Sequence, residues 1–402
     1  MKKLVLFLMS LFMSNTSYSY DAVIGGIYYN LITKAKEAEV TYGDWNVNIE
    51  EGQYNGAIVI PDSIEYNGIT YNVISIGKSA FSLCRNLTSV KLPKHLRKIE
   101  DGAFSICSKL DSISIPDGVE TIGVTAFQFT GLKSLVIPNS VLSIGYMAFV
   151  NCENLVSVKL SDSLIKLGTA AFMQCYQLES ITLPESLSSM DNSVFMNCTS
   201  LISVNIPSSM KSISESAFKG CTSLDSLVIP NGLYTIGSSA FSGCSNLKVV
   251  NISSTVTDIY KEAFAECKNL EYVYCNAEQI PYASYDTFRD SYIEFATLYV
   301  PESSVDNYRQ TEPWMYFKSI ETINNSNLEN VIISPVLIQY NNGIITINGI
   351  EEGTRVSAYT LSGIRESSTI SRNGGAILNT SAKSGSTIVV AIGNKSVKVL
   401  LK

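Results

Sequence analysis

Histidine is nearly absent from this 402-residue chain; the one copy is His95. Zinc sites built on paired histidines are therefore excluded, and no C-x2-C spacing supplies a sulfur alternative. A His-dependent triad would rest on that one residue. It follows Pro93 in a bend whose neighbours vary as exposed positions do, so it reads as a solvated loop histidine. Charge is also scarce: Asp, Glu, Lys and Arg make up 16% of the chain, with a formal net charge of −7. An acidic chain without a basic stripe is a poor partner for nucleic acid or an anionic membrane surface. The carboxylates share no common phase, so the facing pair that glycoside hydrolysis needs is not visible. Gly77-Lys78-Ser79 ends like a P-loop, but Asn72 stands where the earlier glycine is required. No catalytic residue, metal or cofactor is expected, and the chain does not read as an enzyme.

Long apolar runs are missing too. Lys2 and Lys3, the ten-residue largely apolar run Leu4–Met13, and small Ser17 and Ser19 before Tyr20 form the three parts of a secretory signal peptide over residues 1–19. Ten residues are too few to span a bilayer, so cleavage and export are expected, with no membrane insertion afterwards. Loss of the two lysines takes the formal charge from −7 to −9.

The dominant feature is repetition. Phe81, Phe104, Phe127, Phe149, Phe172, Phe195, Phe218, Phe241, Phe264 and Phe288 recur at steps of 23, with one step of 22 and one of 24. A period of 20–29 residues signals a solenoid whose turns stack side by side. Apolar positions keep phase within each turn: Leu87, Val90, Leu92, Leu96, Ile99 and Ala103 match Leu178, Ile181, Leu183, Leu187, Met190 and Val194. The Val-x-Leu portion alternates as a half-buried strand does. A proline at 93, 116, 138, 184, 207 or 230 ends it, because proline donates no ladder hydrogen bond. One strand per turn in a parallel sheet is the expectation, with Leu-x-x-Ile-Gly closing the coil. The turn Phe127-Gln128-Phe129-Thr130-Gly131-Leu132 is one residue short and lacks the usual Cys; Gly131 offers it the positive φ of a tightened bend.

Residues 20–80 read as an N-terminal cap leading into the first turn, with eight of the 22 tyrosines before residue 72 and Asn67-Gly68 as a hairpin signal. Residues 81–270 are the regular repeats. Residues 271–322 are decaying repeats and a C-terminal cap, with a short helix expected between Ser303 and Phe317. Residues 323–330 form a linker. Residues 331–402 carry six or seven short alternating segments, including Ile344–Asn348, Arg355–Thr360 and Thr387–Ile392, and suggest a small all-β sandwich.

Eight of the nine cysteines, from Cys84 to Cys267, sit three residues after a repeat phenylalanine, and only Cys275 is out of phase. Two readings stand: a buried column of small hydrophobes, or disulfides, with Cys267–Cys275 the best-placed pair. On the outward side of the strands two further columns recur. One runs Ser89, Ser112, Ser134, Ser157, Ser180, Ser203, Ser226, Val249, Tyr272; the other runs Lys91, Ser114, Val136, Lys159, Thr182, Asn205, Val228, Asn251, Tyr274. Small hydroxyls would keep such a face flat and wettable. They would also suit a docking surface for a protein or glycan, ending in an aromatic anchor.

The phrase Phe-x-x-Cys-x-x-Leu-x-x-Val-x-Leu-Pro-x-x-Leu-x-x-Ile-Gly-x-x-Ala-Phe resembles the BspA-like leucine-rich repeats, also called the Treponema pallidum type, over residues 57–301. The resemblance implies a capped, right-handed parallel leucine-rich-repeat solenoid on a secreted or surface protein. It also implies adhesion to host extracellular matrix or to other cells, and it carries no catalytic residues. Tyr359-Thr360-Leu361-Ser362-Gly363 and Gly385-Ser386-Thr387-Ile388-Val389-Val390 resemble the sorting domains of type IX secretion; the alternative is a plain sandwich appendage. The functional reading is an exported binding scaffold. Its rivals are a structural spacer with binding in the sandwich and, more distantly, a hydrolase.

Overall fold

In the computed structural model the chain is a parallel-strand β-solenoid of about 11 turns, ~23 residues each, followed by antiparallel sheets. The structure describes residues 20–43, 53–323 and most of 337–400. The expected signal peptide (1–19) and all of the linker but Ile323 lie outside the described residues. So does part of each sorting-domain motif. Two compact units are present: 1–179 with 184–200 and 214–219, and 180–183 with 201–213 and 220–402.

In the first unit the tyrosine-rich cap forms the hairpin strands Ala22–Ile24, Ile27–Ile32 and Glu37–Thr41. The last of these runs parallel to Ile69–Ile76, so the cap hands its edge directly to the first coil strand. Asn67 and Gly68 both take positive φ (52° and 75°), the conformation a two-residue hairpin between Ser63–Tyr66 and Ile69–Ile76 requires.

Most turns differ from expectation in having two strand segments rather than one. Besides the strands on the Ser/Lys face, the Ile-Gly halves form two-residue strands that pair in parallel: Lys98–Ile99, Thr121–Ile122, Ser143–Ile144 and Lys166–Leu167. The glycine that follows the last three of these, Gly123, Gly145 and Gly168, has a packing cause. A Cβ on Gly145 would lie 2.7 Å from the carbonyl carbon of Gly123, and one on Gly168 equally close to that of Gly145. Gly77, the false P-loop glycine, is the same device, since its Cβ would meet the Glu39 carboxylate and the Val40 carbonyl.

The rest of the turn is a bend with left-handed residues two before and two after the phenylalanine. Examples are Ser79 and Leu83, Thr125 and Phe129, Ala170 and Gln174, and Ser193 and Asn197. Non-glycine residues hold such φ values only where surroundings over-determine them. Here every second N–H bonds to the next turn, as in Ser79 to Asp101 (2.9 Å), Phe81 to Ala103 (2.8 Å) and Leu83 to Ser105 (2.8 Å). In the shortened turn it is Phe129, not Gly131, that has positive φ. Gly131 is required because a Cβ there would strike the Ser108 carbonyl oxygen.

The phenylalanines stack as a buried ladder. Ring centroids are 5.0 Å apart for Phe81–Phe104, 5.1 Å for Phe149–Phe172 and 5.7 Å for Phe172–Phe195, with planes within 12° throughout. In the second unit Phe241, Phe264 and Phe288 stack alike. Trp314 and Phe317 then meet Phe288 edge-on at 5.6 and 5.3 Å and close the column. The expected helix between Ser303 and Phe317 is reduced to the single turn Val305–Tyr308 with flanking 3-10 turns, because Pro313 interrupts the segment.

None of the nine cysteines is in a disulfide, and all are buried. The thiols of Cys107, Cys152, Cys175 and Cys198 each donate to the carbonyl of the preceding turn's phenylalanine at 3.1–3.3 Å. Thr130 and Ser291 stand at the same slot with hydroxyl donors, Ser291 onto the Phe264 carbonyl of the preceding turn and Thr130 onto the Phe127 carbonyl of its own turn. Cys275 does not bridge to Cys267; it lies 3.2 Å from the Tyr308 hydroxyl, which donates to the Ala277 carbonyl at 2.8 Å.

The C-terminal region of the second unit has a three-stranded and a four-stranded antiparallel sheet. Ile345, Ile347, Val356, Ala358, Leu378, Ile388 and Val390, drawn from both sheets, form one core. Arg365–Ile370 is a strand the sequence did not announce.

Candidate functional site

The two outward columns are best seen in the first unit. Ser134–Val136 and Ser157–Lys159 pair in parallel, so Ser134 stands beside Ser157 and Val136 beside Lys159, with Leu135 and Val158 turned into the core. All four outward residues are exposed, Val136 at 62%. On the strand Leu87–Lys91, Ser89 is partly exposed and Lys91 exposed. Ser89, Lys91, Ser134, Ser157 and Lys159 make no side-chain hydrogen bond among the described residues.

Ser112 and Ser114 are exposed, but the stretch 111–116 forms no strand, contrary to expectation. The neighbouring turn is the shortened one. Its tight bend at Gly131 closes onto Ser108 and Leu110, just upstream of the residues that leave the ladder. Ser112 turns its hydroxyl onto Asp111.

In the second unit the columns are unevenly exposed. Ser180 and Ser203 are partly exposed and in register. Thr182 is exposed just beyond its strand. Asn205 is not free for docking: its amide accepts from the Leu183 N–H at 2.8 Å and donates to the Leu183 carbonyl at 2.9 Å, replacing a ladder rung. Ser226 is buried, not exposed. A short side chain in register beside Val249 and bonded to Asp225 does not reach the surface. Val228 and Asn251 are partly exposed. Tyr272 is 38% exposed, whereas Tyr274 is buried, its ring stacked 4.6 Å from that of Tyr299.

Tyr299 was missed as a face residue. The signal was present in the echo Thr297-Leu298-Tyr299-Val300-Pro301, which repeats the strand-plus-proline phrase one turn later. Register places Thr297 beside Tyr272 and Tyr299 beside Tyr274; Glu321 stands beside Tyr299. His95 is exposed in its bend. Among the described residues no group of three or more His, Cys, Asp or Glu side chains is placed to hold a metal. The columns therefore offer hydroxyls, two lysines, the valine side chains of Val136, Val228 and Val249, and an aromatic end.

No curated protein matches the chain. Among solved structures it is similar to a leucine-rich repeat protein from Bacteroides ovatus (28% identity, 76% of this chain and 100% of that one, TM-score 0.43). It is also similar to a leucine-rich cell surface protein from Faecalibacterium prausnitzii (21%, 79% and 98%, TM-score 0.38). A third is a leucine-rich repeat protein of T. pallidum (21%, 63% and 80%, TM-score 0.27). The family model for the BspA type leucine rich repeat region matches in six copies, over 61–178, 120–224, 188–311 and 241–350. Those matches span well over half of the 402 residues and cover the phenylalanine ladder. The chain belongs to the BspA-type leucine-rich repeat family.

Proposed function

We propose that this protein is an exported binding scaffold, held at the cell surface or released, that engages a protein or glycan partner through its outward strand face. The observation that carries the reading is the idleness of Ser134, Val136, Ser157 and Lys159. They are exposed, in register and make no side-chain hydrogen bond among the described residues, so the fold does not account for their side chains. Export is supported by the tripartite N-terminus. No helix among the described residues is long and apolar enough to cross a membrane, which is compatible with it. Family membership supports adhesion to matrix or cells as the setting.

The test is a screen of the purified protein against matrix proteins and glycans, repeated with Ser134, Val136, Ser157 and Lys159 all changed to Glu. Loss of the ligand with an unchanged circular dichroism spectrum supports the face. Full retention refutes it and moves the site to the C-terminal sheets, as a spacer would have it.

A further inference from the structure

The aromatic end of the face departs from the repeat pattern more than packing requires. Tyr272 stands where most earlier turns place serine; it is 38% exposed and its hydroxyl has no hydrogen bond among the described residues. We propose that Tyr272 and Tyr299, with Asn251 and Glu321 as a polar rim, form a platform that stacks the apolar face of a neutral sugar ring. The proposal rests on the reading of the strand face as a binding surface and names the chemistry of one occupant.

Three observations select that occupant. The first is rigidity. Tyr274 is buried and lies parallel to Tyr299, 8° between planes, while Tyr272 leans towards Tyr299 at 6.4 Å and 36°. Ring surfaces fixed before binding lose little conformational freedom on contact, and the C–H groups on a pyranose face are attracted to the negative face of an aromatic ring. The second is the rim. The Asn251 amide oxygen is held by Asn276 Nδ2 at 2.7 Å, which leaves its own Nδ2 donors without a partner among the described residues. Glu321 is exposed with no ion pair among them. One fixed donor and one acceptor beside an aromatic surface match the donor–acceptor hydroxyls of a sugar.

The third observation is charge and size. In the register rows Val249–Tyr272–Thr297–Ser319 and Asn251–Tyr274–Tyr299–Glu321 the only charged side chain is a carboxylate. Within these two rows an anionic polysaccharide would meet a carboxylate and no lysine. A stable protein interface needs roughly 800 Å² per partner, and the burial of the adjoining Ser226 and Tyr274 interrupts the exposed face beside the patch. Burial pushes the Tyr274 hydroxyl up to about 12, so it stays protonated at neutral pH.

The experiment is isothermal titration of the full-length mature protein with neutral hexasaccharides (cellohexaose, laminarihexaose, xylohexaose and mannohexaose) and with a heparin hexasaccharide. Binding of at least one neutral probe is expected. Tyr272→Ala should weaken it about tenfold, Tyr272→Phe less than about threefold, and neither should move the thermal midpoint because Tyr272 is not core. Binding of no neutral probe, binding of heparin alone, or an undiminished Tyr272→Ala protein overturns the platform. Should Tyr299→Ala lower stability, the exposed Tyr272 pair of variants still decides. If matrix proteins bind through Ser134–Lys159 while every sugar fails, the platform falls and the scaffold reading stands. If sugars bind at Tyr272 and the Glu-substituted face variant is indifferent, the reverse holds.

Discussion

Phe172→Ala is the sharpest test of how the solenoid is held. Phe172 is completely buried and sandwiched between Phe149 at 5.1 Å and Phe195 at 5.7 Å. Burying a phenylalanine removes roughly 150–250 Å² from water, and at about 25 cal/mol per Å² that is worth about 4–6 kcal/mol. Alanine keeps a fraction of this, while the unfilled ring slot adds a cavity term, so a net loss of about 3–5 kcal/mol is expected. Collapse of the cavity is restrained because the Phe172 N–H is bonded to the Val194 carbonyl at 2.9 Å, fixing the spacing between turns. Urea unfolding followed by circular dichroism gives the total. Hydrogen exchange should show where it falls: faster amides in turns 149–195, and little change near Phe81, because each turn touches only its neighbours. A loss under about 1 kcal/mol, or acceleration spread evenly along the chain, would refute the ladder as the main prop.

Two further outcomes follow from burial. The nine thiols should ignore a disulfide-forming reagent in the native state, with fewer than about one equivalent reacting, and all should react in denaturant. Burial pushes Cys152 up to about 11 and Cys198 and Cys244 up to about 12, so thiolate is scarce at neutral pH; several fast-reacting native thiols would contradict the column. Glu100 has its carboxyl raised by burial and then by the neighbouring Glu39 charge. A carboxyl raised on folding contributes stability at acid pH that is lost as pH rises through the folded value. Glu100→Gln should therefore raise the melting temperature at pH 7, and the advantage should close below about pH 4. Melts of both proteins across that range check it, and a variant less stable at pH 7 would be inconsistent.

The turn, its period and its core were legible because each buried position repeats at one phase, and repetition amplifies a weak local signal. The second strand found in most turns was not. Thr121–Ile122 and Lys166–Leu167 are two residues long, too short for period-2 alternation to show. Arg365–Ile370 was hidden by its polar composition, Arg-Glu-Ser-Ser-Thr-Ile, which gives no apolar alternation even though the strand pairs with Arg355–Thr360. The thiol column was located correctly, but its action was only half read. That Thr130 could stand in for Cys pointed to a shared hydrogen-bond donor, and the Cys152 thiol does reach the Phe127 carbonyl at 3.2 Å. Hydrophobicity accounts for the burial of that slot, and donation accounts for the choice among Cys, Thr and Ser.

The face was the least legible part, because one phase in the repeat does not mean one environment. Lys159, Asn205, Asn251 and Tyr274 occupy the same position in their turns. Lys159 is exposed, Asn205 is spent on the Leu183 backbone, Asn251 is anchored by Asn276 and Tyr274 is buried under a ring. Core positions are forced to agree, since each must fill the same slot between identical neighbours. Outward positions are constrained only by whichever side chains flank them, and those change from turn to turn. A repeat surface can therefore change its chemistry along its length without altering its fold, from hydroxyl and lysine at Ser134–Lys159 to aromatic at Tyr272. If both ends bind, nothing in the packing obliges them to bind the same molecule.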